Sequence, residues 1–512
     1  MPKQRETGIR QSLGEGKTSI RDVSRRGFVK ASAAGIAGVA AGAAIGTSSI
    51  RDVVAQGSGW QGEIVMFAQA YTPNSKLPSA VQLTAFQEVA DEYQKTHPGI
   101  TIKFLDEDMP EYLQTVRVKA AGGELWDVFW GQVNELNGTL PRGIARDLAP
   151  DFAKPNPYIK DAATWQDAMN KMVLAITSDP SGVRYNINGD YVGTAFFYNK
   201  DLFTKAGIAE KPTTWAGILD ASKKLSDAGV KVAEGFKDHS WFARHFLSDF
   251  YAKDYDKISG CDGSTGVSPQ DQAAAVKSGL LSTKDPRYMG WWPVFKKFTD
   301  FWSQEFMSQE RPTVEEQVMR NFAAGKTAIC YNGSWLPNNL KAIGFEFELD
   351  SFSFPILTKD DSEFAQGTDV SGVVGGPFAA YQYAMSTTDS NKTMKDDGKE
   401  AAVLDWLQYV GSPAVIEKVV NELGSFAPTW PGTKAAPGLE TFVAQSNAEL
   451  HAIETFSISP KLGPNLERIF GLYLTGNSDE SATSSQVQTE LDMSVKDFER
   501  TNPKINLDQC TG

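Results

Sequence analysis

The sequence is short of the residues that most often carry chemistry. Its 512 residues include only three cysteines and four histidines, and no Cys/His/Asp group has the spacing of metal ligands, so neither a metal centre nor a cofactor is expected. G-x-S-x-G, H-E-x-x-H and G-x-x-x-x-G-K-[ST] are absent, as is a dinucleotide fingerprint. Gly325-Lys326-Thr327 reproduces the end of a phosphate-binding loop, but Arg320 stands where its first glycine belongs, and phosphate binding is not supported. Asp106-Glu107-Asp108 and Asp360-Asp361 supply paired carboxylates of the kind a glycosidase needs, yet both read as solvated loops. No internal repeat is evident. Outside the N-terminus no apolar run approaches membrane length.

Basic residues are also outnumbered, 50 against 63 acidic. Residues 1–55 hold nine basic and four acidic residues, so the remainder carries 41 and 59, a formal charge of −18. Such a chain is repelled by nucleic acid and anionic lipid, and a soluble acidic protein is the expectation. The 457 residues after position 55 are enough for two or more sizeable cores.

The N-terminus carries Ser24-Arg25-Arg26-Gly27-Phe28-Val29-Lys30, which fits the twin-arginine export pattern, followed by the weakly apolar run Ala31 to Ile45. Val53-Val54-Ala55 supplies small residues for cleavage before Gln56. About 15 small residues fall short of the roughly 20 that cross a bilayer, so residues 1–55 are expected to be an export signal rather than an anchor. Cys330 lies in the apolar pattern Thr327 to Tyr331 and is expected to be a buried thiol. Cys261, in a Gly/Ser-rich loop, and Cys510, in the tail, are available to pair in an exported chain; the sequence does not show whether they meet.

The chain is organised around Tyr185 to Trp215. Val192 to Tyr198 is aromatic and β-branched between Asn-Gly and Asn-Lys-Asp, the signature of a buried strand. Asn199 or Asp201 can cap a helix behind it, Gly207 can end that helix, and Thr213 or Thr214 can cap the next, with Trp215 in its first turn. Upstream, Glu63 to Gln69 and Ile100 to Leu105 read as strands flanking a helix over Ala80 to Tyr93, and a helix over Met109 to Ala121 precedes a strand at Leu125 to Trp130. Downstream, helices are expected at Trp215 to Ser226, His239 to Phe250, Trp291 to Phe306, Val314 to Phe322 and Ala401 to Val410. Residues Lys253 to Tyr288 shift to Gly, Ser, Asp and Lys and read as a surface excursion, partly helical around Gln270 to Lys277.

Four motifs in order resemble the bacterial extracellular solute-binding proteins of ABC importers, family 1. They are the helix, Tyr93-x-Lys95-x-His97-Pro98 and strand; the strand, Tyr198-Asn199-Lys200, Gly207-Ile208 and Pro212-Thr213-Thr214-Trp215; Phe322-x-x-Gly325-Lys326-x-Ala328, strand and Gly333-Ser334-Trp335; and Gly424, Pro428 and Trp430. Trp126-Asp127-Val128 departs from the family's Pro-Asp-Val, and Ala149 replaces an acid in Leu148-Ala149-Pro150. The resemblance implies an α/β, two-lobed periplasmic binding protein fold, type II-like, with a hinge and a ligand cleft. It divides the chain into the signal at 1–55, a first lobe of 56–188 and 370–425, and a second of 189–369 and 426–512.

A saccharide offers hydroxyls for Asn, Gln, Asp and Glu, and C–H patches for aromatic faces. Trp335 and Trp430 coincide with family motifs, Tyr71 and Trp130 lie on loops after strands, and Trp241 opens an aromatic helix where core packing is the alternative. Gln132, Asp179, Asn188 and Asp369 are hydroxyl partners or, alternatively, turn caps. Trp291, Trp292, Trp302 and Trp406 sit in helical patterns and are read as structural, and His245 as a satisfied helix histidine. The resemblance thus implies a monomeric, non-enzymatic periplasmic sugar or polyol binder, partnered by an ABC permease and, during export, the Tat translocase. An exported hydrolase or oxidoreductase is the alternative.

Overall fold

The computed structural model describes residues 59–510 apart from 78–80, 110, 133–135, 137–139, 178–181, 236–239, 262–265, 308, 310, 378 and 447–450. The expected export segment 1–55 and the candidate Asp179 lie outside the described residues. Ten strands are described: β1 (Gly62–Met66), β2 (Ile100–Phe104), β3 (Val128–Trp130), β4 (Asn186–Asn188), β5 (Asp190–Asn199), β6 (Ile329–Gly333), β7 (Leu349–Phe352), β8 (Gly375–Gly376), β9 (Gln382–Met385) and β10 (Ala427–Pro428). They form two sheets, and helices pack against both.

The first sheet runs β2-β1-β3-β9-β4. β1 is parallel to β2 and β3, and parallel neighbours need a crossover, which the helices Ala85–Thr96 and Tyr112–Gly122 provide. The first helix buries Phe86, Val89, Ala90 and Tyr93 on one face. Phe86 meets Tyr381 and Tyr383, each at 5.9 Å between ring centroids. β9 enters antiparallel between β3 and β4 from much later in the chain.

β5 is the spine of the second sheet, antiparallel to β6, β7, β8 and β10. All its residues but Val192 are buried, as the aromatic and β-branched run requires when both faces are covered. Local chemistry then sets the boundaries that follow. Asn199 caps the next helix by accepting from Leu202 N at 3.1 Å, Gly207 takes φ +72° at its end, and Thr214 caps the helix Trp215–Asp227 by accepting from Gly217 N at 3.2 Å. The second core is strongly aromatic, with Trp215, Phe246, Phe295 and Phe298 all buried. Each such ring removes apolar area worth roughly 2–3 kcal/mol. Trp291, Trp292 and Trp302 belong to this core and Trp406 to the first.

The segment Lys253 to Tyr288 is not a surface excursion. It holds the expected helix, Pro269–Lys277, opened by a capping box between Ser268 and Asp271, but Asp271 to Val276 are all buried. Ala273, Ala274 and Ala275 give this helix no bulky stripe; their small side chains instead belong to the same core as Val487, Leu491 and Val495 of the C-terminal helix Glu480–Thr501. Cys261 and Cys510 form a disulfide across 249 residues at the edge of this packing. Cys330 is buried and takes no part in a disulfide.

Three connections join the sheets. Gly189 alone separates β4 of the first from β5 of the second. A Cβ at Gly189 would lie 2.4 Å from Cδ1 of buried Tyr381, so glycine is what allows the crossing to lie under that ring. The return runs from β8 to β9, and the third crossing leads from the helix Pro413–Leu423 to β10.

Candidate functional site

β6 ends in Gly333-Ser334-Trp335. A Cβ at Gly333 would fall 2.2 Å from the Trp335 ring, so the glycine lets the indole fold back over its own strand. Trp335 is half-buried and packs against the first lobe's core from a turn of the second. The following helix, Leu336–Ile343, reinforces the approach: Asn338 Nδ2 donates to Ser425 Oγ at 2.9 Å. Trp241, in the first turn of the helix Ser240–Phe250, stands edge-on to Trp335 at 6.3 Å and to Tyr331 of β6 at 5.9 Å. Trp241, Tyr331 and Trp335 therefore make an aromatic corner where the second lobe meets the first.

The other candidates occupy three different places. Tyr71, Asn188 and Trp430 lie within the hinge packing. Tyr71 is fully buried and donates its hydroxyl to Asp190 Oδ2 at 2.8 Å. Asn188 Nδ2 donates to Pro377 O at 3.1 Å and Gln382 Oε1 at 3.3 Å, while the Trp430 indole donates to Asn188 O at 3.0 Å. Their polar groups hold the crossing segments together. Trp130 and Gln132 mark the end of β3 on the first lobe: Trp130 packs on Tyr112 at 5.4 Å, and Gln132 is half-buried, its carbonyl accepting from Leu136 N at 2.9 Å. Asp369 is exposed and accepts from Ser371 N at 2.9 Å, capping a turn at the start of the return crossing.

Sequence reasoning missed polar residues at the crossings and on the helix that carries Trp241. Asp190 is buried where the crossings converge; its Oδ2 accepts from Tyr71 Oη and from the backbone N–H of Ala380 and Tyr381 at 2.8–2.9 Å. Burial pushes its carboxyl up to about 6, against the opposing pull of those donors. Arg244 is paired with Glu454, which leaves the cation next to the corner neutralised. Among the described residues, buried polar atoms without a protein partner include Trp130 Nε1 at the end of β3, Asn188 Oδ1 and Asp190 Oδ1 at the first crossing, Ser334 Oγ after β6 and Gln445 Oε1. Leaving a buried polar atom unpaired costs on the order of 1–3 kcal/mol, so such atoms are met by water or by a polar ligand. The Asn-rich strand end Asn186 to Asn188 was the available signal for Asp190, and the motif Gly333-Ser334-Trp335 that for Ser334, but nothing local marks Gln445.

The arrangement has known counterparts. A family model described as "Bacterial extracellular solute-binding protein" matches residues 78–417. The sn-glycerol-3-phosphate-binding periplasmic protein of Agrobacterium fabrum is 26% identical over 154 residues, 29% of this chain and 34% of that protein. The matches span from about a third to just over half the length of the curated relatives. Among solved structures, RafE of Streptococcus pneumoniae has 16% identity and a TM-score of 0.59, covering 85% of this chain and all of RafE; RafE is also solved in complex with raffinose. The cyclic alpha-maltosyl-1,6-maltose binding protein of Arthrobacter globiformis has 15% identity and a TM-score of 0.57, covering 86% of this chain and all of that one. These likenesses give the two-lobed solute-binding fold.

Proposed function

The chain belongs to the bacterial extracellular solute-binding proteins, and from that premise we propose that it captures an uncharged carbohydrate or polyol between its lobes for an ABC permease. The observation that carries this reading is the aromatic corner of Trp241, Tyr331 and Trp335 at the junction of the lobes. Indole edges and faces suit the C–H patches of a sugar ring, and unpaired buried atoms such as Ser334 Oγ and Trp130 Nε1 suit its hydroxyls. Trp335 and Trp241 form the solute wall of the second lobe, and Trp130 and Gln132, at the end of β3, are the candidates on the first. Among the described residues Arg244, on the helix that carries Trp241, is already paired with Glu454, a pairing that suits a neutral solute.

The solute acts by touching both lobes at once, which stabilises the closed arrangement about the crossings. The protein acts without catalysing a reaction, and its partner supplies the energy of transport. The disulfide Cys261–Cys510 fits an oxidising compartment, and with the twin-arginine pattern it supports export of a folded, monomeric chain by the Tat translocase to the periplasm. The test is a thermal-shift screen of the chain from Gln56 against sugars, polyols, amino acids and polyamines. A solute at a hundred times its Kd adds about 2.7 kcal/mol to stability, a shift of a few degrees. The expected result is a shift by one saccharide class, abolished in a folded Trp335→Ala variant. Turnover of a chromogenic glycoside with no shift by any solute would overturn the reading.

A further inference from the structure

The segment that leads into β8, and from there into the return crossing, is fastened to the second lobe by side chains. Over Val370 to Val374, four carbonyls each meet a donor: Val370 O takes His245 Nδ1 at 2.8 Å, Gly372 O takes Tyr191 Oη at 3.2 Å, Val373 O takes Arg244 Nη1 at 3.4 Å and Val374 O takes Thr194 Oγ1 at 3.1 Å. Tyr191 and Thr194 lie on β5, and Arg244 and His245 on the helix that also carries Trp241.

His245 gives this clamp a direction. A carbonyl only accepts, so Nδ1 bears the proton; burial lowers the pKa of the ring to about 3, which leaves it neutral with Nε2 as an acceptor. The Tyr331 hydroxyl, 2.7 Å from Nε2, therefore donates to it. With that proton committed, Tyr331 Oη accepts from Thr194 Oγ1 at 2.9 Å, and Thr194 shares its proton with Val374 O. The Tyr331 ring lies edge-on to Trp241 at 5.9 Å and packs on Phe242 and Phe196, each at 4.7 Å. One imidazole thus contacts both a carbonyl of the segment leading into β8 and the ring behind the aromatic corner.

We propose that His245 is a positioning residue of the solute site, fixing Tyr331 and hence the edge of Trp241 while it pins, at Val370, the segment that leads into β8 and the return crossing. The proposal rests on the reading of Trp241 and Trp335 as the solute wall. Its two contacts are separable by substitution. In His245→Asn the amide nitrogen replaces Nδ1 and keeps the bond to Val370 O but does not reach Tyr331; in His245→Gln the amide replaces Nε2 and keeps the Tyr331 contact.

The experiment compares H245N, H245Q, Y331F and the double variant H245N/Y331F in the full exported chain. Three quantities are read: raffinose affinity by calorimetry, tryptophan emission without ligand, and amide exchange of residues 370–376. H245N and Y331F should each weaken raffinose about tenfold, the loss expected from one buried hydrogen bond, and the double variant no further. H245Q should restore most of what H245N loses, while speeding exchange at 370–376 several-fold. Additive losses in the double variant, or no rescue by H245Q, would overturn the proposal. If the native chain fails to bind raffinose, that result counts against the sugar reading alone. The emission spectra then decide: equal shifts in H245N and Y331F that do not add support the positioning role, and independent shifts refute it.

Discussion

Replacing Asp190 by Asn should change how stability depends on pH, by an amount the structure sets. The carboxyl is fully buried, uses one oxygen for three donors and has no protein partner for the other. Its folded-state pKa of about 6 exceeds the ordinary value of 3.8. The folded chain therefore holds this proton more tightly than the unfolded chain, and the stabilisation is present below about pH 4 and lost as pH rises through 6. Two pH units at about 1.4 kcal/mol each give roughly 3 kcal/mol. His245 acts in the opposite sense: its folded pKa is lowered from 6.5 to about 3, so its contribution is present above 6.5 and withdrawn as pH falls. Between pH 6 and 4 the two trends offset each other in the native protein, and only a variant separates them. Urea unfolding of the native chain and D190N, followed by tryptophan emission at fixed ionic strength from pH 4 to 7, measures the difference. Asn does not titrate, so D190N should gain about 3 kcal/mol relative to the native chain across that range. A difference constant to within about 0.5 kcal/mol would show that Asp190 ionises like a solvated carboxyl and would refute the argument.

Other perturbations test other parts of the fold. Reduction, or the pair Cys261→Ser and Cys510→Ser, frees a loop of 249 residues; the urea midpoint should fall by the equivalent of about 2–5 kcal/mol, and an unchanged midpoint would mean that the pairing does not constrain the unfolded chain. Gly189→Ala drives a methyl into the Tyr381 ring, whose hydroxyl is fixed to Val410 O at 2.8 Å; a loss of about 1–3 kcal/mol is expected, and a neutral result in thermal denaturation would show that the ring can yield. Lys399 meets Asp127 at 2.8 Å, both almost wholly buried, and Lys399→Met should cost about 3–5 kcal/mol by stranding the carboxylate. Val65 N and Asn391 Nδ2 also donate to Asp127, and a loss under about 1 kcal/mol would mean that these suffice.

The sequence was most legible where a signal is local. Asn199, Gly207 and Thr214 act within a few residues of themselves, and each takes the cap or turn its chemistry predicts. Trp335 stands out in the sequence by its strand-end context and the motif Gly333-Ser334-Trp335, whereas the fold-back over β6 that Gly333 permits is visible only in the structure. The hinge was not legible in this way. Tyr71 reaches Asp190 across 119 positions and Trp430 reaches Asn188 across 242, so the same aromatic that promises a cleft wall is also suited to closing a hinge, and spacing cannot separate the two. The helix Pro269–Lys277 was legible but its burial was not, because packing through the small side chains of Ala273 to Ala275 leaves no apolar stripe. Tyr331, His245 and Thr194 each look unremarkable alone; their bonds, rather than their types, make them a unit.

The dependence of both sheets on late strands bears on the order in which the protein can be made. β9, which lies between β3 and β4, ends at Met385, and β10, which borders β5, begins at Ala427. Neither lobe can complete its sheet while the ribosome is still translating the first two-thirds of the message. β6 and β7 can flank the aromatic part of β5 earlier, so its Asp190–Tyr191 end is the last to gain a neighbour, and pairing over such sequence distances is slow. Late pairing of this kind makes shelter of the newly made chain matter to its yield.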